Sequence, residues 1–298
     1  MEVETYQAGA FILSTHHSPM LNSLQLQSLA HTLPGIKVPE MVYGSAHVQI
    51  THLEAGFAFD FNALDALRYC GYEARQNNLH REGELRAEHI AYIPECVQVS
   101  MADQWKGRKL PKDSIFREEG KGDMAAIEVA SIYQSDWTYC TPYRGLIRGL
   151  ADAAGFSPLP AHVRLTVTEE SIPLEHLGPD NPVLWGAAVS FFEDELDDSG
   201  QSKCYIRVRA MADCWYALLR SYVRVDNVLI RILDTRIYHE YGKSEVQREF
   251  RVQESTFEEL RTAGFVRTPQ WANDQRQDDL VCKYLVTRST YKDKVSYS

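Results

Sequence analysis

Three polar clusters hold residue types from which an active site or an ion site could be built. The heptapeptide DTRIYHE places Asp234, Arg236, His239 and Glu240 within seven positions. A carboxylate beside an imidazole is the raw material of a general acid–base pair, because histidine titrates near neutrality. In extended chain, however, side chains alternate, so Asp234 and Arg236 share one face and His239 takes the other. That spacing favours an Asp–Arg pair ordering a strand end, or a binding contact there. A metal-dependent hydrolase using Asp234 and His239 is the rival reading. The second cluster, FEDELDD, carries Glu193, Asp194, Glu195, Asp197 and Asp198. Hard cations take several oxygens at once, but alternation turns Asp194 away from Glu193 and Glu195. A solvated hairpin rim, or an acidic lip meeting Arg or Lys of a partner, fits better than an ion site. The third is His16–His17, adjacent rings that diverge in most backbone conformations and so seldom bind one metal together. Trp137–Tyr139 and Trp215–Tyr216 read as core, although such aromatics also serve at interfaces.

The sequence has no G-x-S-x-G elbow, phosphate loop, G-x-G-x-x-G or H-E-x-x-H. These residues alone point to a binding protein rather than an enzyme.

The elements that must carry them read as follows. A helix is expected over Leu21–Leu33, with Leu24, Leu29 and Leu33 on one face and Pro34–Gly35 as its stop. His47–Phe61 reads as extended, with Phe57, Phe59 and Phe61 filling one side. Asn62 then caps a short helix, ALDALRYC. From about 73 to 123 the chain is charged and broken by Gly and Pro, which reads as a surface insertion. Strand character returns at Ile127, and Leu165 and Val167 continue it. The segment SIPLEHL suits one or two helical turns. Two hairpins are expected, one around DDSGQS and one around Asp226–Asn227. Between them DCWYALLRS reads as a helix capped by Asp213. STFEELRTAG reads as a helix with a Ser or Thr cap, ended by Gly264, and Leu280–Val286 as the last strand. The predicted fold class is α+β: two layered antiparallel β-sheets with a few helices covering one face, in a single domain over 1–298.

Of 298 residues, 44% are hydrophobic and 24% charged, enough apolar content for a large core without metal or disulfide. The formal charge of −10 works against nucleic acid and acidic membranes. Six isolated cysteines, with no zinc-type spacing, suit a reducing compartment. No leader or spanning segment is expected, so the cytosol, alone or with the nucleus, is the expected location, with no cofactor and no metal.

Four stretches taken together resemble the TIPRL-like family of TOR signalling pathway regulators. They are VPEMVYG with GFAFDFNALDAL, then SDWTYCTPYRG, then FFEDELDDSG, then LLRSYVRVDNVLIRILDTRIYHE; VCKYLV fits the family's end more weakly. The resemblance covers most of the chain. It implies a layered β structure without catalytic activity that binds the catalytic subunits of type-2A Ser/Thr protein phosphatases, including their C-terminal tail. It also implies a link to a Tap-type phosphatase-binding adaptor, and an adaptor acting only through that protein is an alternative. Carried over by position, the partner contacts are Asp65, Ile232 and Asp234, with Ile172 a looser match. An acidic, aromatic-rich groove gripping the tail, with inhibition of the enzyme, completes the expectation.

Overall fold

The computed structural model describes residues 3–33, 38–68, 70, 141, 143–150, 158–196, 200–268, 271, 274 and 276–298. Strands β1 (Val3–Ala8), β2 (Phe11–His16), β4 (His47–His52), β5 (Phe57–Asn62) and β6 (Leu146–Gly149) form a five-stranded sheet in the order β1-β2-β4-β5-β6. An eight-stranded sheet takes β3 (Met41–Val42), β7 (Arg164–Val167), β8 (Val183–Asp194), β9 (Gly200–Met211), β10 (Cys214–Val225), β11 (Leu229–Glu240), β12 (Glu245–Thr256) and β13 (Val286–Ser296). Its order is β3-β8-β9-β10-β11-β12-β13-β7, and all its pairings are antiparallel. Among the described residues the α-helices are α1 (Ser23–Thr32), α2 (Ala63–Arg68), α3 (Phe257–Thr262) and α4 (Gln277–Val281). The α+β class with two layered antiparallel sheets and few helices is what the sequence pattern implied.

Period-two alternation puts the core between the sheets. Phe11, Leu13, Phe57, Phe59 and Phe61 come from the small sheet; Phe191, Ile206, Trp215, Leu219 and Leu233 come from the large one, all buried in one cluster. The opposite face of the large sheet carries a second cluster, in which Tyr222, Ile230 and Ile232 lie under Phe257, Leu260, Val281 and Leu285. Helices α3 and α4 therefore cover part of the outer face, and the large sheet is buried on both sides there.

Three expectations are corrected. DCWYALLRS is not a helix capped by Asp213: from Cys214 on it is β10, and Trp215, Ala217 and Leu219 point into the core while Arg220 and Tyr222 take the outer face. Its Ala and Leu residues favour a helix locally, but β9 and β11 pair with it along its length. Leu280–Val286 is not a strand. It runs through the end of α4, a 3-10 turn at Cys282–Tyr284 and only then enters β13. Val281 and Leu285, four apart, close over Ile232 as a helical pair does, whereas β13 alternates polar residues with the buried Val295. In α1 the inward residues are Leu26, Leu29 and Leu33, and Leu24 is 76% exposed.

The local signals hold elsewhere. Asn62 Oδ1 accepts from the Asp65 backbone N–H at 2.8 Å, and Thr256 with Glu259 forms a reciprocal capping box on α3. Asn227 adopts φ +62° in the β10–β11 hairpin. The β8–β9 hairpin forms too, but β9 already begins at Gly200, where an added Cβ would meet the Arg224 carbonyl oxygen at 2.0 Å. SIPLEHL contributes one 3-10 turn, Leu174–Leu177. The Pro34–Gly35 stop, the 73–123 stretch, the strand expected from Ile127 and Trp137–Tyr139 lie outside the described residues.

Two buried histidines sit between the sheets, and they set an acid limit on the fold. His52 Nδ1 accepts from the Ala55 N–H at 3.1 Å, so protonating it would turn an acceptor into a clashing donor. His239 contacts the Phe11 and Trp215 rings, with Nδ1 2.9 Å from the Glu245 carbonyl. Burial lowers both imidazoles from their ordinary range, against the pull of Glu54 on His52 and of the Glu245 carbonyl on His239. With folded values below unfolded ones, stability is complete above about pH 6.5 and falls as the pH drops towards the lowered values. The slope reaches about 1.4 kcal/mol per pH unit for each ring. Urea midpoints between pH 7.5 and 5.5 should show it, and His52→Asn, which keeps an acceptor there, should flatten the curve.

Candidate functional site

The outer face of the large sheet holds a continuous ion-pair network. Arg220 donates through Nε and Nη2 to the two Asp234 oxygens at 2.7 and 2.8 Å, the bidentate geometry a guanidinium is shaped for. Its Nη1 reaches Asp278 at 3.1 Å and Asp279 at 2.7 Å, so a strand residue clamps the first turn of α4. Lys203 Nζ at 2.8 Å and the Tyr205 hydroxyl complete the shell of Asp278. On the other side Arg236 spans Asp234 and Glu249, and Arg251 donates to Glu249 at 2.8 Å. Asp234 and Asp278 are fully buried, which ions tolerate only when paired and hydrogen-bonded. Burial pushes the Asp278 carboxyl up, but Lys203, Tyr205 and Arg220 together hold it at about 2. Burial alone would lower the Arg220 guanidinium; its contacts with Asp234 keep it raised and charged.

The network ends at a cavity of about 350 Å³ lined by Glu169, Ser171, Glu249, Arg251, Thr290 and Lys292, among others. Lys292 Nζ is held by the Glu169 carbonyl at 3.1 Å and Ser171 Oγ at 2.8 Å. Arg251 Nε is buried and has no hydrogen-bond partner among the described residues. A buried N–H of this kind costs stability unless something accepts from it. Two carboxylates and two cations line the cavity, and Tyr291 is its single aromatic residue. It is a mixed-charge pocket.

A profile of the TIP41-like family matches residues 41–261, which takes in Arg220, Asp234, Arg236, Glu249 and Arg251. The human TIP41-like protein is 31% identical over 252 residues, covering 85% of this chain and 77% of the relative. The chain belongs to the TIP41-like family. The Dictyostelium discoideum TIP41-like protein is 29% identical over 254 residues, 85% of this chain and 79% of its own. A Saccharomyces cerevisiae relative, 28% identical over 250 residues (83% of this chain, 62% of its own), is named "Type 2A phosphatase activator TIP41".

In this TIP41-like chain three of the four residues carried over by resemblance fall on the outer face. Asp234 is the central node of the network. Ile232 is fully buried beneath α3 and α4. Ile172 is packed with Met211, Cys214 and Tyr238, one residue from the cavity-lining Ser171. All three are sealed from solvent, so none offers its side chain directly to a partner. Asp65 is elsewhere, on α2, where it accepts from Asn62 Nδ2 at 2.8 Å and Arg68 Nη1 at 2.9 Å.

The other clusters resolve simply. Asp234 and His239 lie on opposite faces of β11, one in the outer network and one between the sheets, and form no dyad. Asp194 turns inward to accept from the Glu40 and Leu196 N–H groups at 3.0 and 2.7 Å, while Glu195 is exposed. Asp197 and Asp198 lie outside the described residues. His16 stacks on His47 with centroids 5.1 Å apart. Among the described residues no group of three or more His, Cys, Asp or Glu is arranged to hold a metal.

Sequence reading missed Arg220, Asp278, Arg251 and Lys292. The charges of β12 alternate as on a solvated strand, and Arg220 stood inside a segment read as helix. An arginine at the centre of a long apolar strand was the one available signal, because such a residue is buried only when paired.

Proposed function

We propose that this chain is a non-catalytic regulator that binds the catalytic subunit of a type-2A Ser/Thr protein phosphatase in the cytosol, within TOR signalling. Relatives in two yeasts are named type 2A phosphatase activators. The observation that carries the reading to a site is the unsatisfied Arg251 Nε at the cavity where an otherwise paired network ends. An extended tail from the enzyme would place a carboxylate on Arg251 and Lys292 and amide donors on Glu169 and Glu249. Ile172, Ile232 and Asp234 act from beneath, fixing the cavity floor and the α4 cap. Asp65 belongs to a separate contact at α2. Inhibition is the regulation we propose; an increase in activity is the competing sign that the yeast names suggest.

The test is calorimetry with a purified type-2A catalytic subunit and no adaptor, alongside a phosphatase assay. Saturable binding is expected, weakened by about 2 kcal/mol, near thirty-fold in Kd, for Arg251→Gln, compared at a temperature where that variant is fully folded. Wild-type affinity in that variant would remove the cavity from the site. Absence of binding between folded partners would instead favour action through a Tap-type adaptor.

A further inference from the structure

Strand β8 leaves a long edge of the large sheet open. Strand β3 pairs only with Phe192 and Glu193, and the Tyr43 N–H takes the Phe191 carbonyl at 3.0 Å. From Val183 to Ser190 the outward backbone groups of β8 meet no strand among the described residues. Val183 and Leu184 are 50% and 58% exposed, and Gly186 and Ala188 are exposed too, so nothing among the described residues covers this edge. Edge strands are usually protected by Lys, Pro, inward charges or bulges, because a row of free N–H and C=O groups is a template for another chain. VLWGAAVS has none of these residues. Register shifts bracket it, between Val183 and Trp185 and between Ser190 and Phe192, leaving Trp185–Ser190 in regular register with β9.

The chemistry beside the edge selects the occupant. Arg209 lies opposite Gly186, and Arg207 opposite Ala188. With no side chain on Gly186, the Arg209 stem lies over it, its Cγ 3.8 Å from the position a Cβ would take. Arg209 is exposed and has no hydrogen-bond or ion-pair partner among the described residues. Arg207 holds Asp279 at 2.8 Å in a partly exposed pair that can be exchanged. Both guanidiniums can thus reach across a row of small residues to a strand added beyond it. On that strand, residues two apart point to the same side.

We propose that the Val183–Ser190 edge of β8 is a strand-addition site for an extended segment of a partner protein carrying carboxylates at alternate positions, read by Arg209 and Arg207. Backbone hydrogen bonds supply the attachment and the two arginines the selectivity, as in other β-augmentation complexes. A second copy of this chain fits less well. Antiparallel self-pairing centred on Gly186 would set the two Arg209 side chains against each other and offer them no carboxylate. The site is separate from the cavity and does not depend on the phosphatase reading.

The probe is a fluorescein-labelled, end-capped octapeptide alternating Glu with Val and Thr, with a Lys-for-Glu version as control, titrated into the full chain by anisotropy. Saturable binding of the Glu peptide is expected, at least tenfold tighter than the Lys peptide, with amide-exchange protection appearing within 183–190. Ala187→Pro and Ala188→Pro are both made, because one of two neighbours turns its N–H outward. The variant that keeps the wild-type melting temperature should lose binding more than tenfold. Arg209→Glu should reverse the preference between the two peptides. No binding of either peptide, or binding untouched by the folded proline variant, overturns the proposal. So does a dimer in sedimentation that dissociates in that variant, which would give the edge to a second copy.

Discussion

Arg220→Met is expected to lower the unfolding free energy by about 3–5 kcal/mol, the range for removing one partner of a buried ion network. The methionine fills most of the space, so the loss comes from stranded carboxylates rather than a void. Among the described residues Asp234, fully buried, would keep only Arg236 at 3.5 Å, and Asp278 would keep Lys203 and Tyr205. Urea denaturation with an unchanged m-value would show it. The acid limb supplies a second readout. Asp278 falls from an ordinary 3.8 to about 2 in the folded chain. A lowered folded pKa stabilises above the unfolded value, so about 2 kcal/mol is present above pH 4 and is lost between pH 4 and 2. Removing Arg220 should shrink that loss, because one of the charges holding the carboxyl ionised is gone. A variant as stable as wild type, with the same acid limb, would mean that Arg220 contributes no more than packing.

The same residue shows where the sequence stops being informative. The alternation of Phe57, Phe59 and Phe61, the Asp226–Asn227 turn and the Thr256 cap each depend on neighbours within a few positions, and the structure keeps all of them. The split of DTRIYHE into two faces is likewise a property of any strand, and it placed Asp234 away from His239 correctly. DCWYALLRS was misread because Ala and Leu favour helix locally, while the pairing that overrides them comes from β9 and β11. Burial of Asp234 and Ile232 was invisible for a similar reason. The helix that covers them begins at Gln277, more than forty residues further along, in a stretch whose polar residues suggested an exposed end. The cavity needs β7, β12 and β13 side by side, and no local pattern announces that β7 joins the sheet beyond β13.

Trp215→Ala is expected to cost about 3–5 kcal/mol, because the residue is fully buried and the surrounding rings cannot close the space. Its ring meets Phe11 at 5.1 Å and Phe59 at 6.4 Å, both on the small sheet, so it is a main tie between the layers. Its indole N–H is buried with no acceptor among the described residues. Trp215→Phe, which removes that unsatisfied donor and keeps an aromatic ring, should therefore cost well under half as much as the alanine. Trp215 and Arg220 lie on one strand and point to opposite faces, so their variants should loosen different parts of the molecule. Hydrogen exchange should rise in β2 and β5 for Trp215→Ala, and in α4 and the start of β13 for Arg220→Met. If the outer face carries the phosphatase contact, Arg220→Met should weaken binding at temperatures where it is still folded. Trp215→Ala, compared at equal distance below its own melting temperature, should bind as wild type does. Equal loss of binding in both variants would place the contact on the sandwich as a whole and not on the α4-capped face.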